Sequence, residues 1–250
     1  MSDLPEAVRP VAERASRAQG VIGVFFVGSG ARGDMDKNSD WDLVAVIDDT
    51  VAWPKAFRDG GRETFRAADG RQVEVMYSSA GRLRKRMAEQ AGAGVIATAE
   101  FLAEGRLLFE ADPIASELQE EARSLWKSRP APIPDHDLRW RCYEIWNQVK
   151  DVEDSLHEAV SAYYLSFLPF WNISVLFFRL SRQWLPRPKA VFPTIRDIDA
   201  DLYALCERFA TGRSPRSRLG TLRAMMRHLA RRFALDFEAY YVSPPVEAFA

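Results

Sequence analysis

The chain has 250 residues, long enough for two domains or one large one. Hydrophobic residues make up 47% and charged residues 28%, the balance of an ordinary soluble globular protein. A formal net charge of -1 supplies no global field for a nucleic-acid backbone, which counts against polymerase and tRNA-modifying roles.

Leu4, Val8, Val11, Ala12 and Ala15 recur at helical spacing and predict a first amphipathic helix. Apolar strands are expected over residues 21–27 and 41–47. Residues 62–67 and 72–77 read as the arms of a hairpin turning at Asp69 and Gly70. Helices are expected over 79–90, 92–103 and 113–127, with a short edge strand at 107–109. Residues 128–135 are rich in proline and read as a stiff linker. Beyond it the periodicity is helical throughout: 137–160, 161–184, 196–211 and 215–240. The apolar stretch 159–184 is interrupted by Ser161, Ser166, Pro169, Asn172, Arg179 and Arg182. It reads as buried helical core and not as a membrane span, and no membrane partner is expected. Cys142 and Cys206 are far apart and lack metal-ligand spacing. Neither a disulfide framework nor a thiolate metal site is expected. With no basic-then-apolar signal at the N-terminus, a reducing cytoplasm is the expected compartment.

Residues 27–43 concentrate the chemistry. The first strand runs into Gly28-Ser29, and ten residues separate Ser29 from Asp40. Asp40-Trp41-Asp42 then opens the second strand. Residues two apart on a strand share a face, so Asp40 and Asp42 point one way and Trp41 the other. Two adjacent carboxylates repel each other and suit a divalent cation bound through oxygen. A Gly-Ser turn after a strand offers bare N–H groups to a phosphate. Together these features suggest nucleotidyl transfer.

This unit resembles the nucleotidyltransferase superfamily that includes DNA polymerase beta, with Gly28, Ser29, Asp40 and Asp42 matching its pattern. The run Gly28-Ser29-x-x-Arg32 is closer to the small-molecule branch, where the arginine contacts nucleotide phosphate. In the second half, residues 180–189 and the helix after them are similar to the helical domain of kanamycin nucleotidyltransferase and its relatives, as is the closing Tyr240-Tyr241-Val242. The resemblance implies an α+β fold: a catalytic α/β domain with a mixed sheet over residues 1–130, then an all-α, acceptor-binding bundle over 131–250. It implies magnesium, two ions in such sites, held by Asp40, Asp42 and a third acid. Glu74, between Val73 and Val75, alternates as Asp40-Trp41-Asp42 does and is the choice. Asp48 and Asp49 read as turn formers, Asp34 and Asp36 as solvated loop acids.

The resemblance further implies a general base on the first bundle helix. That helix has an apolar stripe of Leu138, Cys142, Ile145, Val149, Val152 and Leu156. On its other faces Asp151 is preferred as base, then Glu144 and Asp154; a solvated charged face is the competing reading for each. Lys189 stands equally for a phosphate contact or a plain loop residue. His136, His157 and His228 show no metal spacing and read as surface or cap residues. Trp140, Trp146, Trp171, Trp184 and the phenylalanines of 167–178 read as core. The expected reaction transfers a nucleoside monophosphate, AMP from ATP, to a hydroxyl of a small acceptor such as an aminoglycoside-type antibiotic. No nucleic acid is expected as partner, and the branch suggests a homodimer. The alternatives are a protein-adenylylating, antitoxin-like enzyme and a non-catalytic nucleotide-binding regulator.

Overall fold

A computed structural model describes residues 4–53, 57 and 59–238. The chain divides into two compact units, Met1–Arg129 and Pro130–Ala250.

The first unit is a five-stranded mixed sheet with helices. Its elements are α1 (Arg9–Ser16), β1 (Val21–Val27), α2 (Gly28–Arg32), β2 (Trp41–Ile47), β3 (Asp59–Arg66), β4 (Gln72–Ser79), α3 (Ala80–Ala93), α4 (Ala97–Glu104), β5 (Arg106–Glu110) and α5 (Ile114–Lys127). The strand order is β3-β4-β2-β1-β5. β2 and β4 run parallel, and the other neighbouring pairs are antiparallel. Side-chain alternation sorts the sheet into two faces. Leu43, Ala45, Val73 and Val75 are fully buried in one cluster with Val8, just ahead of α1, and Ala12 of α1. Asp42, Val44, Glu74 and Met76 occupy the other face, since Asp42 pairs with Glu74 and Val44 with Met76. On that face α5 comes so close that a Cβ at Gly23 would meet the Ala115 methyl at 2.5 Å.

Most of the expected elements are present, with shifted ends. α1 starts at Arg9, not at Leu4, with Pro10 in its first turn. The hairpin turns at Asp69 and Gly70 as read, closed by Ala67 N–H to the Arg71 carbonyl at 2.8 Å. The Gly28-Ser29 turn is instead the start of a one-turn helix, α2.

The second unit is all helical: α6 (Asp135–Asp154), α7 (Ala159–Leu165), α8 (Phe167–Leu180), a 3-10 turn (Pro188–Ala190), α9 (Val191–Ile198), α10 (Ala200–Ala210) and α11 (Pro215–Phe233). Cys142, Ile145, Val149 and Val152 of α6 are buried as the stripe requires, with Leu138 and Leu156 packed beside them. Two long helices of the sequence reading are each broken in two. The 161–184 helix breaks at Ser166, whose hydroxyl donates to the Tyr163 carbonyl at 2.6 Å. Pro169, three residues on, has no N–H to continue the ladder. The 196–211 helix gives way to α9 and α10, which meet at Asp199 (φ -153°), whose carboxylate caps α10 by accepting from Leu202 N–H at 2.9 Å. Residues 240–242 lie outside the described residues.

The expected burial of 159–184 holds for one face alone. Ile173, Leu176, Phe177 and Phe178 are in the core, but Val160, Tyr164, Phe167, Leu168 and Trp171 are exposed, as is Trp140 on α6. They stand three and four apart and so form a stripe on the outer side of α7 and α8. By length and composition alone, Ala159–Leu180 is apolar enough to cross a membrane.

Asp199 also ties α11 to this junction. It accepts from His228 Nε2 at 2.8 Å and pairs with Arg232 Nη1 at 3.0 Å. His228 is therefore an interior partner and not a surface residue. Burial pushes the Asp199 carboxyl up, but His228, the Leu202 N–H and Arg232 outweigh it and hold it below its usual range. Asp199→Ala removes a helix cap and takes the carboxylate partner from His228 and Arg232. It should cost about 3 kcal/mol. Asp199→Asn, which keeps the cap, should recover about 1 kcal/mol of that in chemical denaturation of the full chain.

Candidate active site

Gly28 ends β1 with φ +71°, a conformation open to glycine and strained for other residues. A Cβ there would overlap Oδ2 of Asp42. The same bare backbone that turns the chain into α2 thus leaves room for the aspartate carboxylate. Gly30, two residues further, has Phe26 and Trp41 close by; a Cβ would lie 2.5 Å from Phe26 Cζ. Trp41 lies on the opposite face of β2 from Asp42, and its indole N–H donates to Asp69 at 3.2 Å. The loop is therefore packed against the sheet on both sides of the acid.

Asp42 is half-buried, and its carboxyl is pushed up to about 6. Burial is the largest cause, followed by the charges of Glu74 and Asp40, while Arg32 and Arg62 pull it back down. This electrostatic neighbourhood gathers the three acids singled out in the sequence. Asp40 is exposed just ahead of the strand; Asp42 and Glu74 are paired positions on parallel strands. Oε1 of Glu74 accepts from Arg62 Nη1 at 2.7 Å. Among the described residues, no three His, Cys, Asp or Glu side chains already converge as a metal cage. The donor set nevertheless fits a hard divalent cation: oxygen ligands alone, mutually repelling, one of them with its carboxyl pushed up by burial and by its neighbours' charges. Asp40, Asp42 and Glu74 are the residues that would hold it.

The other sequence candidates fall into place around this cluster or away from it. Arg32 ends α2 with Nη2 3.2 Å from Asp34 and Nη1 3.4 Å from Glu104, so its guanidinium is already ion-paired. Ser29 is partly buried in the first turn of α2. Asp34 is thus an ion-pair partner. Asp48 caps its own turn, accepting from Thr50 N–H and Oγ at 2.8 Å each. Asp49 accepts from Gly81 N–H at 2.9 Å at the start of α3. Both rivals of Glu74 are therefore committed to backbone. Asp151 and Lys189 belong to the second unit, where both are exposed, Asp151 near the end of α6 and Lys189 in the 3-10 turn. Glu144 accepts from Gln148 at 3.5 Å.

Two residues escaped the sequence reading. Arg62 had an available signal: counting back from the Asp69-Gly70 turn pairs Thr64 with Glu74 and Arg62 with Met76. That register puts Arg62 on the face of the acids. Glu104, the partner of Arg32 72 residues away, had none.

Residues 8–80 match the family model of the nucleotidyltransferase domain, which spans α1 to the end of β4. No curated protein matches the chain. Among the 11 solved chains that match is a nucleotidyltransferase-like protein from Exiguobacterium sibiricum. It is 13% identical, with a TM-score of 0.50, over 90% of this chain and 75% of that one. This likeness is one of fold: an α+β architecture with a nucleotidyltransferase domain followed by a helical region.

The raised Asp42 carboxyl has a pH signature in the metal-free protein. Its folded value, about 6, lies above the ordinary 3.8, so between these values the folded state keeps a proton that the unfolded state has lost. Stability should therefore decline as pH rises through that window and stay lowered above it. With chelator present, Asp42→Asn should melt several degrees above wild type at pH 7.5, with the difference gone near pH 4. An Asn variant that melts at or below wild type at pH 7.5 would show that Asp42 is not repelled in the folded protein.

Proposed function

We propose that the protein is a nucleotidyltransferase that moves AMP from ATP to a hydroxyl of a small acceptor and releases pyrophosphate. The observation that carries this reading is Asp42, crowded by Glu74 and Asp40 and set against the bare Gly28 backbone, within residues matched by the nucleotidyltransferase domain model. The acceptor oxygen bonds to the α-phosphorus of ATP. The bond from that phosphorus to the departing pyrophosphate breaks, and pyrophosphate leaves with the electron pair. The hydroxyl proton passes to a carboxylate, for which Asp151 is the proposed base ahead of Glu144 and Asp154.

Asp40, Asp42 and Glu74 are proposed to hold magnesium, two ions by the family pattern. Bound there, the metal would neutralise charge on the reacting phosphate and on the leaving oxygen. Gly28, Ser29 and Arg32 are proposed to hold the triphosphate. Arg32 would do so by exchanging its ion pairs with Asp34 and Glu104 for phosphate oxygens. Lys189 is a further phosphate contact on this reading. The resemblance to the kanamycin branch puts antibiotic acceptors of the aminoglycoside type first in an acceptor panel, by analogy of fold.

A second reading is adenylylation of a protein. The exposed stripe Val160, Tyr164, Phe167, Leu168 and Trp171 favours it, because apolar patches of this kind mark partner surfaces. A second copy of the chain would be served by the same stripe.

The deciding assay combines labelled ATP, magnesium and an acceptor panel, with mass analysis for a gain of one nucleoside monophosphate. Asp40→Asn and Asp42→Asn should each lower transfer by about a hundredfold or more while the fold is kept. Activity within a few-fold of wild type in either would overturn the metal assignment. Glu74→Gln should lose far more than Asp48→Asn or Asp49→Asn. Asp151→Asn should lower turnover about 10²–10⁴-fold with ATP binding unchanged, the mark of a base acting on the acceptor alone.

A further inference from the structure

Beside the acids, on the same face of the sheet, lies a cavity of about 120 Å³. Its floor is Val44 of β2 and Met76 of β4, each two residues on from Asp42 and Glu74 and pointing the same way. Phe101 and Thr98 of α4 form one wall. Three arginines are among its lining residues: Arg62 from β3, and Arg82 and Arg86 from α3.

The charge arrangement requires a reason. Arg82 and Arg86 stand four apart on one helix face, where like charges destabilise. Neither forms an ion pair with any of the described residues. The contrast with Arg84 on the same helix is plain, because Arg84 is bidentate to Glu121 at 2.9–3.1 Å. Among the described residues Arg62 pairs with Glu74, on the side of the acids. Arginines lining a partly apolar cavity are matched by a phosphate or carboxylate, which a guanidinium can bind through two donors. The cavity is well below the ~300–1,000 Å³ of a pocket for a whole ligand, so it takes one end of a molecule.

We infer that this cavity is an anion subsite for the acceptor, and that the acceptor of the proposed transfer carries a phosphate or carboxylate. The inference rests on the nucleotidyltransferase reading above. The order of the strands separates this subsite from the nucleotide. Gly28, at the end of β1, adjoins Asp42 on β2; Glu74 on β4 follows, and Arg62 on β3 comes last. The acids stand between the glycine cradle and Arg62. An in-line displacement needs donor and acceptor on opposite sides of the reacting phosphorus. With the triphosphate on Gly28, Ser29 and Arg32, the arginine side falls to the acceptor. A polycationic aminoglycoside would meet three like charges there.

Inorganic phosphate, titrated into the full-length protein at constant ionic strength, is the first probe. Wild type should bind it, and the double variant Arg82→Gln/Arg86→Gln should bind it about tenfold more weakly, with ATP–magnesium affinity changed by less than about twofold. Both positions are exposed on a helix, and unchanged melting temperatures will show that the variant is folded. In the transfer assay, sugar phosphates and sugar acids should be labelled in preference to their neutral parents and to kanamycin. Equal phosphate binding by wild type and variant would overturn the proposal. So would a parallel tenfold loss of ATP affinity, which would give these arginines to the triphosphate tail, or labelling of kanamycin alone. Failure of the enzymatic reading appears separately, as absent ATP binding or as full transfer by Asp42→Asn.

Discussion

The carboxylate of Asp42 rests against the Cα of Gly28, and the rest of the first unit is arranged to hold that contact. Gly28 ends the strand beside β2, where Val27 pairs with Asp42. On the other side β4 brings Glu74 level with Asp42. The aspartate is thus fixed by two ladders, and its charge is crowded by a geometry the backbone does not allow to relax. Burial, two neighbouring carboxylates and two more distant arginines meet at a single oxygen pair. Such strain is stored where a counter-charge is expected to arrive, and strongly perturbed acids cluster at functional sites for this reason.

The two faces of the sheet divide the labour. On one, α1 helps seal Leu43, Ala45, Val73 and Val75 from water. On the other, α3, α4 and α5 leave an opening over charged residues. The close approach of α5 at Gly23 anchors this second layer. This face is itself buried over Phe25, Val27, Val44 and Val46, so the charged groups occupy only part of it.

Much of this was legible in the chain. Strands β1 and β2 were readable as apolar runs, and the hairpin as alternating arms about Asp69-Gly70. The α6 stripe from Leu138 to Leu156 was readable because its period is helical and unbroken. Glu74 was chosen from its alternation together with the resemblance, which expects a third acid; the parallel register with β2 that brings it level with Asp42 was not legible. Pairing between strands that are distant in sequence leaves no local mark. The breaks at Ser166 and Asp199 were hidden for a related reason: each is secured by a hydrogen bond, and at Asp199 the securing partners His228 and Arg232 come from a helix far along the chain. Burial in the second unit was misjudged at Trp140, Trp171 and Phe167 because aromatic content signals core by default, while the face each residue occupies depends on how neighbouring helices pack.

The hairpin of β3 and β4 sits at the edge of the sheet, and its five-residue turn governs more than connectivity. β4 is locked to β2, but β3 has one neighbour and takes its register from that turn. As it stands, Arg62, Thr64 and Arg66 share the side of the acids, while Glu63 faces Arg14 and Tyr77 on the other. Adding or removing one residue between Ala67 and Arg71 would slip β3 by one position and exchange its faces. Glu63 and Phe65 would then stand where Arg62 and Thr64 are now, and the cavity edge would change from cationic to anionic with no substitution inside it. The number of residues between these two strands therefore sets which charge this edge of the sheet presents, without any change to the residues themselves.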